Sequence, residues 1–127
     1  MIVVDSSVWV ASFRSPDSAL GDALRRALRG DHVLLAAPVR IEILAGASRR
    51  DLPPLRRVLD ALPSIFPTEA TWGRIERFVE RAAAKGQRFG VADLLIGGLA
   101  AERDVAVWSL DLDFRRMAGL GFVKLHA

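Results

Sequence analysis

Fifteen acidic residues are spread over this chain of 127, and five of them stand in particular places. Asp5 follows Ile2-Val3-Val4, a β-branched run with no polar interruption. Such a run reads as a short strand buried on both faces. Glu42 sits inside an otherwise apolar stretch (Ile41, Ile43, Leu44) in the first turns of a helix. Asp93 lies in the first turn of another helix, and Asp111 and Asp113 follow an apolar run that ends at Trp108. Each acid thus comes just after the carboxyl end of a strand or near the start of a helix. In a parallel sheet those places share one edge, where open α/β sheets bind ligands. Each also has a plainer explanation. Asp5 or Ser6 could cap the helix that follows, Glu42 could be solvated, and Asp93 could answer the helix dipole. Asp111 could serve a turn and Asp113 could cap the helix opening at Phe114. Taken together, four or five carboxylates in one notch repel one another and raise each other's pKa, a cost that a cation offsets. The chain has no cysteine, and His32 and His126 lie away from the acids. Oxygen-only donors suit Mg²⁺ or Mn²⁺ over Zn²⁺. Carboxylates, a divalent metal and a phosphate form one chemistry, activation of water against a phosphodiester. The placing of the histidines argues against paired-His cleavage through a 2′-hydroxyl.

The remaining segments must position these acids. Pro16-Asp17-Ser18 predicts a helix to about Arg29, and His32–Ala36 a second buried strand. Pro38 fits the first turn of a helix running to about Arg49 and carrying Ile41, Leu44 and Ala45. Asp51 and Pro53 open a fourth helix with Leu55, Val58, Leu59 and Leu62 as its apolar stripe. A very short strand follows at Ser64-Ile65-Phe66. Thr68 to about Lys85 is the longest helix, with Trp72, Ile75, Phe78, Val79 and Ala82 expected to face the core. Val91–Arg103 is helical despite Gly97-Gly98, a pair expected to permit close packing against the sheet. Val105–Trp108 is a strand, a short helix ends at about Ala118, and Gly121–Leu125 is expected to be the last strand. The alternation argues for an α/β sandwich around a central, mainly parallel, short-stranded sheet with the first strand inside it. Residues 1–127 are expected to form a single domain.

The apolar fraction of 51% and mean hydropathy of +0.24 exclude disorder. No apolar run approaches the length of a membrane span, and Met-Ile-Val-Val-Asp has no basic secretory n-region. Without cysteines there are no disulfides or thiolate metal sites. A cytoplasmic protein is expected. The net charge is +3, and all basic residues except Lys85 and Lys124 are arginine. Arginine is the better fork for phosphate, although a GC-rich gene gives the same excess.

With those residues in view, the chain resembles the PIN-domain family, and within it the VapC toxins of toxin–antitoxin pairs. Val4-Asp5-Ser6-Ser7-Val8-Trp9 is similar to the family's opening motif. Glu42, Asp93 within Ala92-Asp93-Leu94-Leu95-Ile96, and Leu110-Asp111-Leu112-Asp113-Phe114 match its later acidic motifs in order and approximate spacing. The resemblance covers essentially the whole chain. It implies a PIN-like α/β/α sandwich and a Mg²⁺- or Mn²⁺-dependent endoribonuclease, in which metal-activated water leaves a 3′-hydroxyl and a 5′-phosphate. It implies Asp5, Glu42, Asp93 and Asp111 as the catalytic, metal-holding quartet, with Asp113 a fifth acid beside it. Which of Asp111 and Asp113 faces the metal stays open. Ser7 or Ser6 matches a hydroxyl position near the site. Arg14, Arg40 and Arg88 are candidates for holding RNA phosphates. The resemblance further implies a homodimer held inactive by a VapB-type antitoxin whose tail covers the acidic notch, with Trp9 and Phe13 as candidate contacts.

Rival readings fit less well. A signalling receiver needs two adjacent acids after strand one and another after strand three, where Ile65-Phe66-Pro67-Thr68 offers none. A haloacid-dehalogenase-type phosphatase needs its D-x-D after the first strand, and here that pair comes late. The alternative that stands is a catalytically weak PIN-fold module that binds RNA or protein.

Overall fold

The computed structural model describes residues 1–127. Four short strands form the sheet: β1 (Ile2–Val4), β2 (Val33–Ala36), β3 (Ser64–Ile65) and β4 (Ala106–Trp108). Their order is β3-β2-β1-β4 and every pairing is parallel. Val3 lies opposite Leu34 on one side and Val107 on the other, which places β1 inside the sheet as its composition required. The central strands are apolar on both faces because both faces are covered. All four residues of β2 are buried, as are Val3, Val4 and Val107.

Seven helices surround the sheet: α1 (Ser6–Arg14), α2 (Ala19–Arg29), α3 (Ala37–Ala45), α4 (Leu52–Asp60), α5 (Glu69–Ala84), α6 (Val91–Glu102) and α7 (Leu112–Gly119). Right-handed crossovers put α1–α4 on one face, as the chain steps from β1 to β3. They put α5 and α6 on the other face, as the chain returns to β4. The direction of winding therefore reverses at β1, and the crevice between the carboxyl ends of β1 and β4 is the switch point at which such sheets bind ligands.

Several boundaries and faces differ from expectation. Helix α3 stops at Ala45 rather than near Arg49, because Gly46 caps it and Ser48–Leu52 form a turn. The expected strand Gly121–Leu125 reduces to a single bridge between Leu125 and Val107. Gly121 (φ 80°) turns the chain, and Phe122 leaves the sheet plane to stack on Phe78 at 4.3 Å. On α5 the buried face is Thr71, Ile75, Phe78 and Ala82, so Trp72 and Val79 lie exposed. Ile41 and Val58 are exposed for the same reason, their helices being rotated from the expected stripe so that Val39, Ile43 and Leu59 face inward. Gly97 and Gly98 serve neighbouring helices and the C-terminal segment rather than the sheet. A Cβ on Gly97 would lie 3.1 Å from Val123 and 3.2 Å from Met117, and one on Gly98 would lie 3.2 Å from Ile75. No helix is long and apolar enough to cross a membrane.

Candidate active site

Strand β1 ends at Val4, and Asp5 is the first residue beyond it. Its amide donates to the Trp108 carbonyl at 2.9 Å, which ties the end of β1 to the end of β4. Asp5 is also the N-cap residue of α1, but its side chain makes no capping bond. The carboxylate is only 4% exposed and is engaged elsewhere. Ser7 Oγ donates to its Oδ2 at 2.7 Å and Ser109 Oγ at 2.8 Å. A buried carboxylate needs such donors, and two hydroxyls fix its orientation without neutralising it.

The same hydroxyls anchor the loop after β4. Ser7 Oγ accepts from the Leu110 amide at 3.0 Å, and Ser109 Oγ accepts from the Asp111 amide at 2.9 Å. Asp111 in turn caps α7, its Oδ1 accepting from the Asp113 amide at 2.9 Å. The cap expected of Asp113 is thus made by Asp111. Asp113, freed from that duty, pairs with Arg116 at 2.8 Å.

Asp93 stands on the first turn of α6 and faces this loop. Asp93, Asp111 and Asp113 each offer a carboxylate oxygen, all within 4.8 Å of one another. The crowding shows in the ionisation of Asp93. Burial first, then the charges of Asp111, Asp5 and Asp113, push its pKa up to about 7. Glu42, one helix away on α3, is also raised, by burial and then by Asp5, with Ser6 opposing the shift through a 3.3 Å hydrogen bond. All five expected acids therefore belong to one electrostatically coupled group, with Arg116 the one cationic side chain bonded to any of them. A donor set made only of carboxylate oxygens, raised in pKa by mutual repulsion, fits a hard divalent cation.

A PIN domain model matches residues 2–120. The chain belongs to the PIN domain family. Within it, ribonuclease VapC32 of Mycobacterium tuberculosis is 34% identical over 116 residues, covering 87% of this chain and 85% of that protein. VapC ribonuclease Mb1587 of Mycobacterium bovis is 30% identical over 119 residues, covering 90% and 89%. Among solved PIN-fold structures, DNA-bound VapBC from Salmonella typhimurium superposes with a TM-score of 0.81 at 15% identity, over 98% of this chain and 96% of that one.

The other expected site residues are divided. Arg40 is paired with Asp60 at 2.6 Å, so its charge is already partly offset. Arg14 is exposed beside a cavity of about 680 Å³ that Phe13, Glu42, Leu55 and Val58 also line. Arg88 is exposed, with no ion pair. Trp9 is 2% exposed and belongs to the core, so of the two aromatic residues expected to meet a partner only Phe13 is accessible. Sequence reasoning missed Ser109 and Arg116. Ser109 could have been found by the rule that found the acids, since it directly follows β4. Arg116 carried a weaker signal, a cation three residues after an acid on one helix face.

Proposed function

We propose that this PIN domain is a metal-dependent endoribonuclease, the toxin of a VapBC-type pair, and that it is held inactive by a VapB-type antitoxin in the cytoplasm. The observation that carries the reading is the convergence of five carboxylates from four parts of the chain on the β1–β4 crevice, strained enough to raise Asp93 to about 7. The ribonucleases among its relatives supply the substrate class. Asp93, Asp111 and Asp113 would hold the cation, with Asp5 and Glu42 completing the acidic wall. Mg²⁺ is the first choice for such a set and Mn²⁺ the second. A cation bound there would supply water activation and offset the charge on a phosphodiester.

The rest falls to the chain's own groups. Ser7 and Ser109 hold Asp5 in one orientation. We assign Ser7 this positioning role, since its hydroxyl is committed to Asp5 and to the Leu110 amide. Arg116 fixes Asp113 through its ion pair. Arg14 and Arg88 are free to meet RNA phosphates on either side of the crevice. The cavity between α1 and the α3–α4 hairpin, with exposed Phe13 and Val58 on its walls and Glu42 at its edge, suits an antitoxin tail. Homodimerisation follows from the family in the same way.

The test is cleavage of labelled total RNA by antitoxin-free protein. Cuts are expected with Mg²⁺, and none with EDTA or in folded Asp5→Ala and Asp93→Ala variants. Cutting that persists in EDTA or in either variant overturns the carboxylate–metal mechanism. No cutting by the wild-type protein favours a binding module.

A further inference from the structure

A second cavity lies on the far side of Arg116 from the acids. Its volume is about 290 Å³, and Val79, Ala82, Ala83, Gln87, Arg88, Phe89 and Leu94 line it. The size admits one planar heterocycle and little more. Its walls are mostly apolar, and Val79 stands half-exposed at 49%. One polar group in the lining is in an unusual state. Gln87 Oε1 is buried and has no hydrogen-bond partner. A buried amide oxygen without a donor costs free energy, so such groups are rare and call for an explanation.

The cavity is joined to the acidic cluster by a single guanidinium. Arg116 donates through Nη1 to Asp113 and through Nη2 to the Arg88 carbonyl at 3.1 Å. Its plane also lies over the Phe89 ring at 4.4 Å. Arg88 itself projects an unpaired cation beside the cavity. A slot for one ring, an amide in need of an N–H donor, a cation next to it and a phosphodiester-cleaving cluster one side chain away make a consistent set.

Resting on the nuclease reading above, we infer that this cavity is a base subsite: it takes one unpaired nucleobase of the RNA, adenine for preference, beside the scissile phosphate. Sequence-selective recognition of RNA usually takes splayed single-stranded bases that lie against apolar and aromatic walls and are read along their edges. A glutamine amide matches the adenine edge, its oxygen accepting from the exocyclic amine and its NH₂ donating to a ring nitrogen. Gln87 Oε1 gains the donor it lacks, and Arg88 reaches the adjoining phosphate. An uncharged apolar pocket would not distinguish adenine from uracil in this way.

The subsite is tested on the intact, antitoxin-free chain by two readouts. In the first, AMP and UMP are titrated into isotopically labelled protein and followed by NMR. Shifts are expected at Gln87, Arg88 and Phe89, with AMP bound roughly tenfold tighter than UMP and that preference lost in Gln87→Leu. In the second, cut sites in RNA are mapped for the wild type and for Gln87→Leu. An adenine preference at one fixed position from the cut is expected in the wild type and is expected to flatten in the variant. Equal binding of the two nucleotides, shifts confined to other residues, or cut-site profiles that coincide overturn the subsite. Shifts at these residues with an antitoxin peptide but with neither nucleotide make the cavity a protein contact and overturn it as well. Nucleotide binding at Gln87 without any RNA cleavage leaves the subsite standing and removes the nuclease. Cleavage without nucleotide binding at Gln87 does the reverse.

Discussion

Asp93 concentrates the tension of the site. At pH 8 its carboxylate is ionised against burial and three neighbouring acids. Asp93→Asn removes that charge while keeping the shape. In EDTA at pH 8 the variant is expected to melt higher than the wild type, and with Mg²⁺ it is expected to cut no RNA. A lower melting temperature in EDTA would mean that Asp93 makes structural bonds beyond those seen. Arg116 acts in the opposite sense. Its guanidinium sits on Asp113 where a cation would otherwise compete, and the pair is partly exposed, so its contribution to stability is at most about 1 kcal/mol. Arg116→Ala is therefore expected to leave the melting temperature nearly unchanged and to tighten Mn²⁺ binding by a few-fold in calorimetry. Weaker Mn²⁺ binding would show that positioning Asp113 matters more than the charge beside it. At this scale the acids themselves were legible in the sequence. Their neighbours were less so, because the hydroxyl of Ser109 gains meaning only when β4 is laid beside β1.

The elements place these groups through caps and close approaches. Helix α2 begins where Ser18 accepts from the Gly21 amide at 3.1 Å, and this brings Gly21 against the preceding loop. A Cβ there would lie 2.6 Å from the Pro16 carbonyl oxygen, a backbone atom that cannot swing aside. Gly21→Ala is expected to destabilise the fold by about 1–3 kcal/mol despite alanine's better helix propensity, as read from urea denaturation. A stabilised variant would mean that the loop before α2 shifts freely. Strands β1 and β2 and the longer helices could be read from their apolar runs and caps, because those signals are local. The faces of α3, α4 and α5 could not be read as well. Trp72, Val79, Ile41 and Val58 fit an apolar stripe by spacing, and only the angle at which each helix meets the sheet decides that Thr71, Val39 and Leu59 point inward instead. The last strand failed for a similar reason, since the stacking of Phe122 on Phe78 overrode the β-run Gly121–Leu125.

Over the whole molecule the acidic crevice links stability to pH and to metal. Asp93 and Glu42 both have raised pKa values in the fold, so the native state holds more protons than the unfolded state between the ordinary carboxylate range and about pH 7. Stability then falls as pH rises through that window. The melting temperature in EDTA is expected to be higher at pH 5.5 than at pH 8, and added Mg²⁺ to raise it more at pH 8, where the proton no longer competes. A melting temperature that climbs from pH 5.5 to pH 8 in EDTA would contradict the coupling of the acids. The order β3-β2-β1-β4 brings this about, because it puts the reversal of winding beside Asp5 and so gathers acids far apart in sequence. The most direct measurement is single-turnover cleavage of end-labelled RNA at pH 8 by the wild type and by Asp93→Asn, each with Mg²⁺ and with EDTA, alongside their melting curves. Cleavage by the wild type with Mg²⁺ alone, and none by a variant at least as stable, is the expected result. An active Asp93→Asn protein, or a wild type that cuts equally well in EDTA, would contradict the assignment of these carboxylates to a metal-dependent nuclease.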